Sequence, residues 1–181
     1  VNSVAAVCEA VGADIASVVR GIGSDSRIGS SFLQPGPGWG GSCFPKDSRA
    51  LVSIAAERGY EFSLMQGVID TNDRQIERIV EKVERALDVP IADATIGVLG
   101  LTFKAGTDDL RESPSLRIVS GLLASGARVR GYDPTVGPVA TDVQRRELAG
   151  IDIAQSPLEA ATGADAIVIL TEWPEFRHLD F

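Results

Sequence analysis

The sequence has few cysteines, no long apolar run and no excess of positive charge. Its two cysteines, Cys8 and Cys43, do not suggest a disulfide framework. No signal peptide is recognisable, and no apolar run is long enough to span a membrane. A net charge of -8 argues against a nucleic acid or an anionic membrane as partner. We therefore expect a soluble globular protein in a reducing, cytoplasmic setting.

The sequence also lacks a helix start at its beginning. Val1 enters a helical pattern without a methionine or a capping residue before it, and Phe181 follows closely on a predicted strand. We interpret the 181 residues as a piece of a longer protein, long enough for one large or two small domains.

The most unusual segment is 35–47, which holds four glycines and three prolines in thirteen residues. No regular element tolerates that mixture, so the segment is predicted to be a shaped loop. A helix is predicted over 47–58, with Asp47 as its N-cap. Cys43 would then lie just before a helix N-terminus with Lys46 beside it, and both features favour a thiolate. Cys43 is a candidate nucleophile, the alternative being a small buried apolar residue.

The first half of the chain has the apolar spacing of helices. A loop over 23–45 interrupts the pattern, and loops of this length are usually functional or disordered. The aromatic residues Trp39 and Phe44 favour a functional loop. The predicted helices cover 1–11, 14–22, 47–58 and 61–87.

From residue 91 the pattern changes to short apolar runs that alternate with helical stretches. This alternation predicts a parallel sheet with right-handed crossovers. We therefore predict an α/β protein with an all-helical region over 1–90, joined by its long last helix to a sheet domain over 91–181 that is incomplete at its end. The predicted strands are 95–99, 128–132, 151–154 and 166–170, and the predicted helices are 113–124, 139–148 and one capped by Ser156.

A dinucleotide site in the sheet domain is disfavoured by the spacing of its glycines. Asp133 ends the second strand, where a ribose-binding acid would lie, but the G-x-G-x-x-G pattern is absent. The stretch from Gly100 to Ser113 is also too long for the tight turn of that motif. A different nucleotide is expected at the carboxyl ends of the strands, near Phe103, Lys104 and Arg111.

Several motifs together resemble the UDP-glucose/GDP-mannose dehydrogenase family. Segment 40–47, Gly-Gly-Ser-Cys-Phe-Pro-Lys-Asp, is similar to the active-site segment of that family, and 100–114 is similar to a later motif in the correct order. The resemblance implies an N-terminal NAD-binding domain, a central helical dimerisation region and a C-terminal, Rossmann-like UDP-binding domain. This chain would be the second and third of these parts.

The resemblance implies an NAD-dependent oxidation of the C6 alcohol of UDP-glucose to the carboxylate, UDP-glucuronate, in two hydride transfers. Cys43 matches the nucleophile that forms a thiohemiacetal and then a thioester. Asp47 and Asn2 match residues that order or activate water, and Lys46 and Arg111 match contacts to NAD. No metal is implied. The matched substrate contacts are Arg27, Phe32, Leu33, Gln34, Pro35, Gly36, Gly40, Phe44, Phe103 and Lys104.

Other interpretations stay open at this point. The substrate could be GDP-mannose or a UDP-amino sugar, although the form Cys-Phe-Pro-Lys-Asp favours UDP-glucose. The chain could also be a non-catalytic module that binds a nucleotide sugar and dimerises, with a structural Cys43. The resemblance further implies a homodimer through the central helices, in which Arg27 reaches the neighbouring subunit's substrate. By itself the chain is expected to be inactive.

Overall fold

The computed structural model describes residues 1–137 and 146–180. The helix predicted over 139–148 therefore lies mostly outside the described residues. The chain divides into two compact units, one over Val1–Gly38 and one from Trp39 onward. Each unit is described by itself, and the domain boundary predicted at 90–91 stays a prediction.

The first unit contains two helices, α1 over Asn2–Val11 and α2 over Ile15–Gly23. Gly12 ends α1 in the left-handed conformation, with a φ of 72°, which glycine adopts without steric cost. Asp14 caps α2 by accepting hydrogen bonds from two backbone N–H groups of its first turn. Cys8 of α1 is buried.

The second unit begins with α3 over Phe44–Glu57 and α4 over Ser63–Ala86. The prediction that α3 begins with Asp47 as its N-cap is wrong, because the N-cap is Cys43. Pro45 lies in the first turn of α3. An N–H at this position would have no acceptor within the helix, so its absence in proline costs nothing, and the fixed φ of proline suits the helix. The carboxylate of Asp47 therefore lies inside the first turn rather than before it.

The sheet of the second unit has four strands in the order β3-β2-β1-β4, and all of its neighbouring pairs are parallel. The α/β fold class predicted from the alternation of strands and helices is confirmed. Short 3-10 helices cover Ile91–Asp93 and Pro174–His178. The remaining elements are β1 (Thr95–Leu99), α5 (Pro114–Ala124), β2 (Arg128–Tyr132), β3 (Ile151–Ile153), α6 (Pro157–Ala161) and β4 (Ala166–Ile169).

The long helix α4 shares the hydrophobic core of the sheet. Ile76 and Val83 of α4 are buried in the same cluster as the fully buried Ile96 of β1. Helices α4 and α5 approach closely, since a Cβ added to Gly121 would lie 2.8 Å from Val80. Burial of this apolar surface fixes α4 beside the sheet and so positions every residue that α4 carries.

The N-termini of α5 and α6 form different hydrogen bonds, and the predicted Ser156 cap is present. Ser113 is the N-cap residue of α5, but its hydroxyl donates to the carbonyl oxygen of Leu101, 2.8 Å away, instead of capping the helix. Ser156 does cap α6 by accepting from the N–H of Glu159. The Glu159 carboxylate accepts from the N–H of Gln155, one residue before the partner that a capping box uses.

Across 1–137 and 146–180, no helix combines the length and the apolar character needed to cross a membrane. In the same residues, no group of three or more His, Cys, Asp or Glu side chains is placed to hold a metal ion.

Candidate active site

Cys43 lies at the N-terminus of α3 with its side chain exposed. Its carbonyl oxygen accepts the N–H of Asp47 at 2.9 Å, so the thiol and the carboxylate are neighbours one helical turn apart. The hydroxyl oxygen of Ser42 is 3.7 Å from the sulfur. A cysteine at this position faces the partial positive charge of the helix N-terminus.

Two cations lie close enough to Cys43 to interact with it electrostatically. Lys46 forms an ion pair with Asp47, with 2.5 Å between Nζ and Oδ1, and this hydrogen bond is the main cause of its raised pKa. The pKa of Arg111 is also raised, mainly by its hydrogen bonds to Asp109. Cys43 makes a smaller contribution in the same direction for both cations. Lys46 and Arg111, each paired with a carboxylate, therefore both lie within electrostatic range of the thiol.

Trp39 begins the turn that leads to Cys43 and is held by α4. Its backbone N–H donates to Oδ1 of Asn72 at 2.9 Å, and its carbonyl oxygen accepts from Nδ2 of Asn72 at 3.2 Å. The Trp39 ring packs edge-on against the Phe44 ring, with centroids 5.1 Å apart. Because Phe44 follows Cys43 directly, Trp39 contacts both Asn72 of α4 and the residue next to the thiol.

The glycines of the turn pack directly on the loop over 100–113. A Cβ added to Gly40 would lie 2.1 Å from the carbonyl oxygen of Glu112. Gly41 has a φ of 88°, and a Cβ there would lie 3.0 Å from the Phe103 ring. Glu112 itself has a φ of 50°, which costs a non-glycine residue energy, and its carboxylate pairs with Arg49 of α3. The turn needs glycine because there is no space for a side chain.

The loop over 100–113 also carries Phe103 and Lys104, which the sequence assigned to the substrate. The Lys104 ammonium lies 5.2 Å from the centroid of the Phe103 ring, within the range of a cation–π interaction. Asp109 shapes the loop by accepting both guanidinium bonds of Arg111 at 2.9 Å, while its carbonyl oxygen accepts from the Phe103 N–H. Phe103, Lys104 and Arg111 therefore belong to one ordered loop beside Cys43.

Both carboxylate oxygens of Asp133, which follows β2, accept hydrogen bonds from protein groups. Its carboxylate accepts six hydrogen bonds, and the side chain is buried. The donors are two backbone N–H groups at Leu101 and Thr102, the Thr102 hydroxyl, the Trp173 indole, and the N–H and hydroxyl of Thr135. No oxygen of Asp133 is left for a ribose, which agrees with the absence of the dinucleotide glycine pattern.

The remaining predicted residues lie in the first unit. The amide oxygen of Asn2 accepts from the N–H of Gly36 at 2.9 Å, so Asn2 holds the loop that contains Leu33, Gln34 and Pro35. Phe32 is 98% exposed and has a φ of 62°. Arg27 pairs with Asp25, 2.6 Å between the nearest atoms.

Three residues that hold the site were not selected from the sequence: Arg49, Asn72 and Glu112. Asn72 did leave a signal, because it is a polar residue at an apolar position of α4, between the buried Ile69 and Ile76. Arg49 and Glu112 left none, since charged residues are ordinary at exposed positions.

Two family models match the chain. Residues 1–74 match the central domain of the UDP-glucose/GDP-mannose dehydrogenase family, and residues 97–181 match the UDP-binding domain of the same family. A UDP-glucose 6-dehydrogenase of Rhizobium meliloti is 48% identical over 181 residues, which is 100% of this chain and 40% of that protein. The chain thus spans well under half the length of that relative.

Solved structures give the same result. A UDP-glucose dehydrogenase from Pyrobaculum islandicum superposes with a TM-score of 0.87 at 32% identity, over 99% of this chain and 41% of that one. A UDP-D-ManNAc dehydrogenase from Pyrococcus horikoshii superposes with a TM-score of 0.79 at 31% identity, over 99% and 39%. The resemblance seen in the motifs is confirmed, and the chain belongs to the UDP-glucose/GDP-mannose dehydrogenase family.

Proposed function

We propose that this chain carries the nucleophile and the nucleotide-sugar site of an NAD-dependent UDP-glucose 6-dehydrogenase. The observation that carries the proposal is the exposed Cys43 at the N-terminus of α3, close to the cations Lys46 and Arg111. A buried thiol would instead have supported the structural role for Cys43. UDP-glucose is the preferred substrate because relatives of that name match the whole chain.

The sulfur of Cys43 would act on the sugar once its C6 is at the aldehyde level. The thiolate forms a C–S bond to C6, and the carbonyl oxygen takes up a proton to give a thiohemiacetal. Transfer of a hydride from C6 to the nicotinamide acceptor, together with loss of the hydroxyl proton, would give the thioester. Attack of water on the thioester carbon would then break the C–S bond, releasing the carboxylate, the thiolate and two protons to solvent. A thiolate suits both steps because it attacks carbonyls readily and leaves readily from an acyl group.

Asp47 would order the water that hydrolyses the thioester. Its carboxylate is carried one helical turn after Cys43 and pairs with Lys46. Asn2 would assist by holding the loop around Gly36, with which it already forms a hydrogen bond. The aromatic ring of Phe103 and the ammonium of Lys104 would contact the uridine and the substrate, as the family motif implies.

The residues assigned to NAD fit an anionic cofactor. The side chains of Lys46 and Arg111 are 71% and 67% exposed, and both lie near Cys43. An open cavity of about 650 Å³ borders Arg111, and its lining also includes the cations Arg117 and Arg146 and the carboxylates of Glu112 and Glu147. NAD would supply the acceptor for the hydride, while Lys46 and Arg111 would hold its negative charge. The homodimer and the cytoplasmic location belong to the same proposal.

The test is a substrate panel with the complete gene product. Formation of NADH is measured with UDP-glucose, GDP-mannose and a UDP-amino sugar, and UDP-glucose is expected to give the highest kcat/KM. In Cys43→Ser, turnover is expected to stall because an oxygen ester is a poorer acyl intermediate than a thioester. Cys8→Ala is the matched control, because it removes the other, buried cysteine and should keep turnover. Near-normal production of UDP-glucuronate by Cys43→Ser would refute the role.

A further inference from the structure

Asn72 makes a two-bond contact with the backbone that leads to Cys43. It lies on α4, is 6% exposed, and both atoms of its amide are used by Trp39. A buried amide can form such a pair only if its oxygen faces an N–H and its nitrogen faces a carbonyl. The contact therefore fixes the position and the orientation of the Trp39 peptide groups.

The turn after Trp39 is held by backbone packing rather than by side chains of its own. Gly40 and Gly41 have no side chains, and glycine loses more conformational freedom on ordering than any other residue. The two glycines instead pack against Glu112 and Phe103 without space to spare. A small change in the direction of the chain at Trp39 would therefore be carried through the turn to the sulfur.

The anchor for Trp39 is itself rigid. Asn72 lies between Ile69 and Ile76 along α4, and all three are buried. Ile76 belongs to the core cluster that includes the sheet. The hydrogen bonds of Asn72 thus connect the glycine turn to the hydrophobic core of the second unit.

We propose that Asn72 is a positioning residue for Cys43. Its amide holds Trp39, the Trp39 ring packs on Phe44, and Cys43 lies on the short segment between them. The inference rests on the proposed function, in which Cys43 attacks the substrate carbon. Asn72 itself would touch neither substrate nor cofactor, so its effect is on the placement of the sulfur.

The test compares two substitutions at Asn72 in the complete gene product. Asn72→Ala removes both hydrogen bonds, whereas Asn72→Asp keeps an acceptor for the Trp39 N–H and loses the donor. We expect kcat of Asn72→Ala to fall by about a hundredfold, the effect of a misplacement near 1 Å. KM for UDP-glucose should change much less, because substrate binding by the loop over 100–113 is retained. Asn72→Asp is also expected to lower kcat, because its second oxygen would face the Trp39 carbonyl oxygen in place of the amide donor, and this variant decides the question if the alanine variant does not fold.

The matched control is Asp73→Asn on the same helix. Asp73 pairs with Arg117 of α5 at 2.9 Å, so its substitution weakens the packing of α4 without removing the hydrogen bonds between Asn72 and Trp39. This control should keep kcat at temperatures well below its melting temperature. If Asn72→Ala loses stability but keeps at least half of the normal kcat, Asn72 is only structural and the proposal is wrong.

A second readout separates this proposal from the proposed function. The rate at which iodoacetamide labels Cys43 is measured by mass spectrometry in all variants. Asn72→Ala should change that rate several-fold, and Asp73→Asn should not. If the unsubstituted protein oxidises none of the nucleotide sugars, the proposed function fails while the labelling rates still decide the positioning role. Equal labelling of Cys43 in all variants would overturn it.

Discussion

Gly40→Ala places a methyl group where the structure has no room. The added Cβ would lie 2.1 Å from the carbonyl oxygen of Glu112 and 2.7 Å from Cδ of Pro114. Ordinary van der Waals contact begins at 3.4 Å, so one side of the contact must move by more than about 1 Å. The obstacle is backbone and a proline ring, so no flexible side chain can move aside.

Neither side of that contact moves easily. Glu112 already has a φ of 50° and is tied to α3 by its ion pair with Arg49, and Pro114 begins α5. Gly40 follows Trp39, which is bound to Asn72. We expect the overpacked variant to lose about 1–3 kcal/mol of unfolding free energy. Turnover should fall by about tenfold to a hundredfold, because Cys43 is only three residues away.

Gly67→Ala is the matched control for this prediction. Gly67 lies inside α4, and a Cβ added there would meet nothing within 4 Å. The substitution should raise the unfolding free energy by about 0.5–1 kcal/mol, since alanine favours the helix interior. The assay is chemical denaturation together with NADH formation from UDP-glucose by the complete gene product. A Gly40→Ala variant with normal stability and normal turnover would refute the argument that the turn is closely packed on Glu112.

Three further predictions follow from the same region. Because Asp47 does not cap α3, Asp47→Asn and Asp47→Ala should both leave the melting temperature nearly unchanged. Both should slow thioester hydrolysis if the carboxylate orders the water, and normal turnover in both variants would exclude that role. The pKa of Asp109 in the folded protein is lowered, mainly by its hydrogen bonds with Arg111. These hydrogen bonds therefore stabilise the folded protein fully above the pKa that Asp109 has in the unfolded chain, and this stabilisation is lost as the pH falls through the lower pKa of the folded state. Acid denaturation curves should therefore show that Asp109→Asn loses less stability than the unsubstituted protein below about pH 4. Light scattering should show a dimer at micromolar concentration, because α1, α3 and α4 leave large apolar side chains exposed, and a strict monomer would contradict this.

The sequence by itself determined the element types and the chemistry of the candidate site. Apolar runs separated by helical stretches predicted the four strands, because a buried parallel strand and an amphipathic helix have different periods. Glycine and proline around Cys43 predicted a shaped loop, because few conformations accommodate both. The family resemblance then gave roles to Cys43, Asp47, Lys46 and Arg111, which stay predictions until the variants are assayed.

The tertiary structure alone decided what holds the thiol in place. Asn72 is more than thirty residues from Trp39 in the chain, and Glu112 is farther still from Gly40, so no local pattern could pair them. The sequence predicted too late a start for α3 because proline is common in loops, but a proline is also tolerated in the first turn of a helix, where Pro45 lies. Asp133 could have been a ribose ligand by its position after β2. Only the fold brought six donors to its carboxylate and made it structural, because long-range packing decides which polar groups a buried acid meets.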